Sequence, residues 1–130
     1  MGRSKENPQK VPPESHIVLT TIKVDAEQKP GFVAKATDIF TRATDAPGIL
    51  HQGLHATDGS DGVTTFYTRT AWESPADIER FKESQPHVGA MENVGAYGTD
   101  FRTARLIGDT VPSWEEVIAR FNKPQEKPGK

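Results

Sequence analysis

Apolar and polar positions follow two periods along this chain. The run His16 to Val24 (HIVLTTIKV) is β-branched and too short for a good helix, which predicts a strand. Pro30 suits the first turn of a helix, and Phe32, Val33, Ala36, Ile39, Phe40 and Ala43 then recur at spacings of one, three and four. That one-sided helix should end before Asp45-Ala46-Pro47-Gly48, where proline and glycine stop propagation. Ile49 to Thr57 and Val63 to Trp72 read as two more strands, and the turn-rich linker Asp58-Gly59-Ser60-Asp61-Gly62 makes them a hairpin. Ser74 is placed to cap a second helix, with Pro75 at its first position, Asp77 in the place of a capping-box acid, and Ile78 and Phe81 facing inward. Pro86 restarts the chain, and His87, Val88, Met91 and Val94 share a helical stripe that Gly95 and Gly98 break. Thr99 to Ile107 is a weaker fourth strand, interrupted by Asp100, Arg102 and Arg105. Ser113-Trp114-Glu115-Glu116 is a capping box opening a last helix with the stripe Trp114, Val117, Ile118, Phe121.

The order β-α-β-β-α-β with a terminal helix predicts an α+β, ferredoxin-like domain with a four-stranded antiparallel sheet. A sheet with helices on one face only should alternate apolar and polar residues. The first strand does not: Ile17 and Leu19 point one way while Val18, Ile22 and Val24 point the other. Both faces must therefore be covered, and the simplest cover for the second is an identical sheet, giving a homodimer. The Trp114 helix could brace its own subunit or the partner. Residues 1–15 and 123–130, rich in proline and charge, are expected to be disordered tails, leaving 16–122 as the folded domain.

Composition removes several classes of chemistry. A chain of 130 residues supports one domain. It has no cysteine, hence no disulfide, thiolate nucleophile or cysteine-ligated metal. A net charge of −2 with no concentrated basic surface argues against nucleic acid. No apolar run approaches the roughly 20 residues that span a bilayer, and the polar start lacks a secretory h-region. The expectation is a cytoplasmic protein that touches neither nucleic acid nor membrane.

His87 is the foremost candidate for chemistry. Partial burial among Phe81, Met91 and Val94 would favour its neutral form, a usable base at physiological pH. Trp72 could plug the strand-to-helix junction or line a site. His51 and His55, four residues apart on one strand face, are about 13 Å apart at strand rise and cannot chelate one metal together. They read as interface or solvent residues. Arg69, Arg102 and Arg105 read as strand-edge or dimer ion-pair residues, one of which could hold an acidic substrate. The Asp58 to Gly62 loop lacks calcium-loop spacing and is only a turn.

His16-Ile17-Val18-Leu19, Trp72-Glu73-Ser74 and Ser84-Gln85-Pro86-His87-Val88-Gly89 together resemble the dimeric α/β-barrel superfamily over about residues 16 to 108. The Trp-Glu-Ser junction with its later histidine is similar to antibiotic biosynthesis monooxygenases, which oxidise aromatic polyketides without metal or flavin. The opening strand and Pro-His-Val-Gly are closer to the stress-responsive barrel proteins, a branch that includes a plant polyketide cyclase. The resemblance implies His87 as base, with His16, Thr20, Trp72, Phe81 and Met91 around a small aromatic or apolar molecule and no cofactor. Two departures bear on the reaction. The cyclase tyrosine six residues before the base falls on Phe81, and the haem-degrading branch's first-strand asparagine is missing, with Thr20 and Thr21 there instead. A cofactor-independent monooxygenase is the leading expectation. A non-oxidative cyclase or isomerase, and a small-molecule-binding stress protein without catalysis, are the alternatives.

Overall fold

The computed structural model describes residues 8–83 and 98–122. Four antiparallel strands form one sheet in the order β2-β3-β1-β4. They are β1 (Gln9–Asp25), β2 (Ile49–Asp58), β3 (Val63–Trp72) and β4 (Thr99–Val111). The helices are α1 (Lys29–Thr44), α2 (Pro75–Glu83) and α3 (Trp114–Asn122). This is the ferredoxin-like order expected from the sequence, with α1 and α2 on one face and α3 on the other. The helical stripe expected from His87 to Val94 and the tail expected over residues 123–130 lie outside the described residues.

The two outward directions of β1 organise the interior. Ile17 and Leu19 share a face with Tyr67 and Ala71, their neighbours or near neighbours on β3, and pack with Val111 against Trp114, Val117 and Phe121 of α3. On the opposite face Ile22 and Val24 join Phe66 and Phe32, whose rings lie 4.6 Å apart, beneath α1. The Trp114 helix thus braces its own sheet. Part of the face for which the sequence demanded a second subunit is covered from within the chain, because the apolar stripe of α3 matches Ile17 and Leu19.

The helix starts follow their local chemistry. At α3 the Ser113 hydroxyl accepts the Glu116 N–H at 3.2 Å and the Glu116 carboxylate accepts the Ser113 N–H at 3.1 Å, a complete capping box. At α2 the reciprocal bond differs. Ser74 accepts the Asp77 N–H at 3.2 Å, but the shorter Asp77 side chain takes the Ser74 hydroxyl proton at 2.9 Å instead of a backbone N–H. Gly48, just before β2, has φ +84° and lies so close to Asp77 that a Cβ would stand 2.3 Å from its carboxyl carbon. Its carbonyl accepts the Glu73 N–H at 2.9 Å, tying the end of β3 to the start of β2.

Two boundaries differ from expectation. β1 begins at Gln9, so residues 9–15 belong to the sheet and not to a tail ending at residue 15. β4 runs on to Val111, past the expected end at Ile107, and Gln9 and Lys10 pair with Val111 and Thr110. Pro12 and Pro13 fall within a register shift between Lys10 and Ser15, where no ladder N–H is required. The Ser15 hydroxyl donates to the Pro12 carbonyl at 2.6 Å there. Among the described residues no helix is long and apolar enough to cross a membrane.

Leu19 is fully buried in the α3 cluster, so Leu19→Ala should cost about 3 kcal/mol in urea unfolding. Ser113→Ala, which loses only the cap, should cost about 1 kcal/mol. Equal losses would mean that α3 docks through its cap and not through its stripe.

Candidate functional site

Between the sheet and the pair α1 and α2 lies a cavity of about 440 Å³, within the range of small-molecule sites. Its floor is built by register. Thr103, Thr20 and Thr68 lie side by side across β4, β1 and β3, and Arg105, Val18 and Thr70 form the next row. Its walls are Ile22, Phe32, Phe66, Ile39, Phe40 and Ala43 at one side, with Trp72, Ile78 and Phe81 at the other. Lys35, Lys82 and Arg105 also line it, and among the described lining residues there is no carboxylate and no histidine.

The polar floor is partly self-satisfied. The Thr20 and Thr68 hydroxyls hydrogen-bond each other, which uses one of their two protons. The buried Trp72 indole N–H donates to the Thr70 hydroxyl at 2.9 Å. Thr70 therefore keeps its own proton to give. The Trp72 ring meets Phe81 at 5.4 Å between centroids, tilted by 40°. This pair fixes one wall of aromatic carbon, with the indole nitrogen turned to the sheet.

Of the residues singled out in the sequence, Thr20, Trp72 and Phe81 line this cavity. His16 stands on the same face one row beyond, between Trp72 and Ile107, half-buried and outside the lining. His87 and Met91 lie outside the described residues. Thr68, Thr70 and Thr103 escaped the sequence reading. The even-numbered threonines of β3 were the only local signal for Thr68 and Thr70, and the row that Thr68 and Thr103 make with Thr20 depends on cross-strand register.

A second depression, between the ends of α1 and α2, is wider open and lined by Asp38, Arg42, Asp45 and Arg80. Its arginines are already paired, Arg42 with Asp38 at 3.2 Å and Arg80 with Asp77 at 2.6 Å. Hydrogen bonds from Ser74 and then Arg80 hold the Asp77 carboxyl below the usual carboxylate range. This is surface charge pairing around an open depression whose lining also includes Ala46, Pro47 and Phe81.

The opposite sheet face corrects the reading of Arg69, His51 and His55. Arg69 sits on an inner strand, only 3% exposed, and is not a strand-edge residue. Its guanidinium lies 4.3 Å from the centre of the Trp114 ring and donates to the Pro112 carbonyl at 2.6 Å. His55 stacks on the same indole at 5.3 Å. Gly53 leaves room for the indole, since a Cβ there would stand 3.0 Å from Trp114 Cζ2. His51, one row away, has a buried Nε2 with no hydrogen-bond partner among the described residues. Arg102 likewise serves α3, donating to the Phe121 carbonyl at 2.8 Å. Among the described residues no group of three or more His, Asp or Glu side chains is arranged to hold a metal.

No family model matches the chain, and no curated protein sequence matches it. Solved structures do match. SnoaB from Streptomyces nogalater, described as a cofactor-independent oxygenase and solved as a point mutant, superposes with a TM-score of 0.59 at 11% identity, covering 72% of this chain and 91% of that one. PA3566 from Pseudomonas aeruginosa gives a TM-score of 0.61 at 15% identity, covering 72% and 93%. A candidate antibiotic biosynthesis monooxygenase from Caulobacter crescentus CB15 gives 0.58 at 17% identity, covering 72% and 89%. At such identities the likeness establishes the fold. The chain has the ferredoxin-like α+β fold of structures of antibiotic biosynthesis monooxygenase type, as the Trp72 to His87 resemblance implied.

Burial, reinforced by the Arg69 charge, holds the His51 imidazole below its ordinary pKa. The unfolded chain therefore protonates here before the folded one does. The stability tied to His51 is complete above about pH 6.5 and is lost as the pH falls below it. Thermal unfolding should show Tm dropping on acidification through this range, and His51→Gln should make the drop shallower. An unchanged slope in the variant would count against this origin.

Proposed function

We propose that this protein is a cofactor-independent monooxygenase of the antibiotic biosynthesis type, acting on a small aromatic or polyketide-like metabolite with His87 as general base. The observation that carries the reading is the cavity: aromatic walls sized for a small molecule, with a floor of hydroxyls and an indole locked in place. Its fold is also that of a structure described as a cofactor-independent oxygenase. In the sequence, residues 84–97, which include His87, follow α2 and precede β4, and both of those elements line the cavity.

The chemistry asks little of the protein. A neutral imidazole removes a proton from a hydroxylated anthrone-type methylene, and the resulting enolate passes an electron to dioxygen. Recombination forms a C–O bond. Loss of water from the hydroperoxide then leaves a carbonyl on carbon, so one oxygen atom is retained and the other departs as water. All four electrons that reduce dioxygen come from the methylene carbon as its two C–H bonds are replaced by C=O, without an external reductant. The one proton left on the Thr20–Thr68 pair and the proton of Thr70 are suited to the developing oxyanion. Phe81, packed on Trp72, brings no hydroxyl to the position of the cyclase tyrosine, which favours oxygenation over aldol-type cyclisation.

With a hydroxylated anthrone and no added flavin or metal, an oxygen electrode should record consumption. His87→Ala should reduce the rate by about 10² to 10⁴ while leaving the circular dichroism unchanged. Turnover that continues without oxygen would point to a cyclase or isomerase, and a bound but unaltered substrate to a binding protein. The same reading takes the protein as a homodimer. It is supported by Val11, Leu50, Leu106 and Ile118, apolar residues that pack on the α3 cluster but are only partly buried there. Sedimentation should then give twice the chain mass of 14.3 kDa.

A further inference from the structure

We infer that the cavity selects an aromatic carboxylate, with the ring between the aromatic walls and the carboxylate held by Arg105 and Lys35. The inference rests on taking this cavity as the substrate site. It goes further by naming the charge of the ligand.

Three observations converge. Every charged side chain among the described lining residues is cationic. Lys82 is shared with Glu79 at 3.7 Å, whereas Arg105 and Lys35 have no ion pair or side-chain hydrogen bond among the described residues. Carboxylates pair with Lys23, Lys29 and Arg42 elsewhere, whereas the described lining of the cavity offers Lys35 and Arg105 none. Finally, the floor supplies protons: Thr70 accepts from Trp72 and retains its own hydroxyl proton, and the Thr20–Thr68 pair retains one.

The arrangement also sets the number of charges. Arg105 extends the row of Val18 and Thr70 at the edge strand β4 and is exposed, and Lys35 on α1 is half-buried. An anion there keeps part of its hydration, which a fully buried one would lose. The mostly apolar remainder of the lining would meet a polyanion such as a nucleotide with nothing to replace its water. One carboxylate on an aromatic body satisfies both ends. A guanidinium can take it with two parallel N–H bonds, and the ammonium of Lys35 supplies a second charge. The charge then orients the ring, placing the opposite edge of the substrate toward the Trp72 and Phe81 wall.

Titration calorimetry on the full chain with 2-naphthoate, 2-naphthamide and 2-naphthol tests this without turnover. The carboxylate should bind about tenfold more tightly than the isosteric amide or the neutral naphthol. Added salt should weaken the acid alone. Arg105→Gln and Lys35→Gln should each reduce the preference and together abolish it, leaving the amide unaffected. Both side chains reach solvent, so folding should survive, as circular dichroism can check. Equal affinity for acid and amide, a preference that survives in the double variant, or no binding of any of the three at millimolar concentration would overturn the inference. Acid-selective binding without oxygen consumption would sink the oxygenase reading and leave this one standing. Oxygen consumption with a neutral anthrone and no acid preference would do the reverse.

Discussion

The central strand β1 is sandwiched: β3 and β4 pair with its two edges, and helices press on its two faces. Ladders on both sides leave it no freedom of register, and its alternating side chains must satisfy different neighbours above and below. Ile17 and Leu19 are consumed by the α3 core, while Val18, Thr20 and Ile22 line a cavity. A slip of one residue would exchange those two sets, placing Thr20 in the dry interface and Leu19 in the site. Packing on one face therefore fixes the chemistry presented on the other.

That coupling explains the placement of the polar residues. A threonine row is tolerated on the cavity side because its hydroxyls pair with one another and with Trp72. On the α3 side the polar groups are satisfied only in part, since His51 Nε2 and Arg69 Nε have no hydrogen-bond partner among the described residues. Arg69 is buried against an aromatic ring and a backbone carbonyl, and the charge of Arg69 helps to keep His51 neutral beside it. Trp114 occupies the middle of this assembly, between His55 and Arg69 and above a glycine. The helix is thus held by flat surfaces stacked on flat surfaces as well as by its apolar stripe.

Much of the architecture was legible in the sequence because it rests on local signals. The hairpin linker, the Ser113 and Ser74 caps, Pro30 and the Trp114 stripe each act within a few residues, and each is found where expected. The double-sided pattern of β1 also correctly demanded two covers. What escaped needed long-range pairing. Residues 9–15 look like a tail until Val111 and Thr110 are available to pair with Gln9 and Lys10. Arg69 looks like a surface charge until Trp114 arrives from far along the chain to cover it. Thr20 could be named as a site residue, but Thr68 and Thr103 become its partners only through the sheet register.

The separation of the two faces of β1 also bears on how such a protein can change over evolutionary time. Odd-numbered positions from Ile17 to Thr21 hold the molecule together, whereas Val18 and Thr20 meet whatever enters the cavity. Substitutions at the second set can alter ligand preference with little loss of the packing that keeps the chain folded. Neighbouring residues on a single strand are thereby open to opposite kinds of selection, one conserving and the other exploratory.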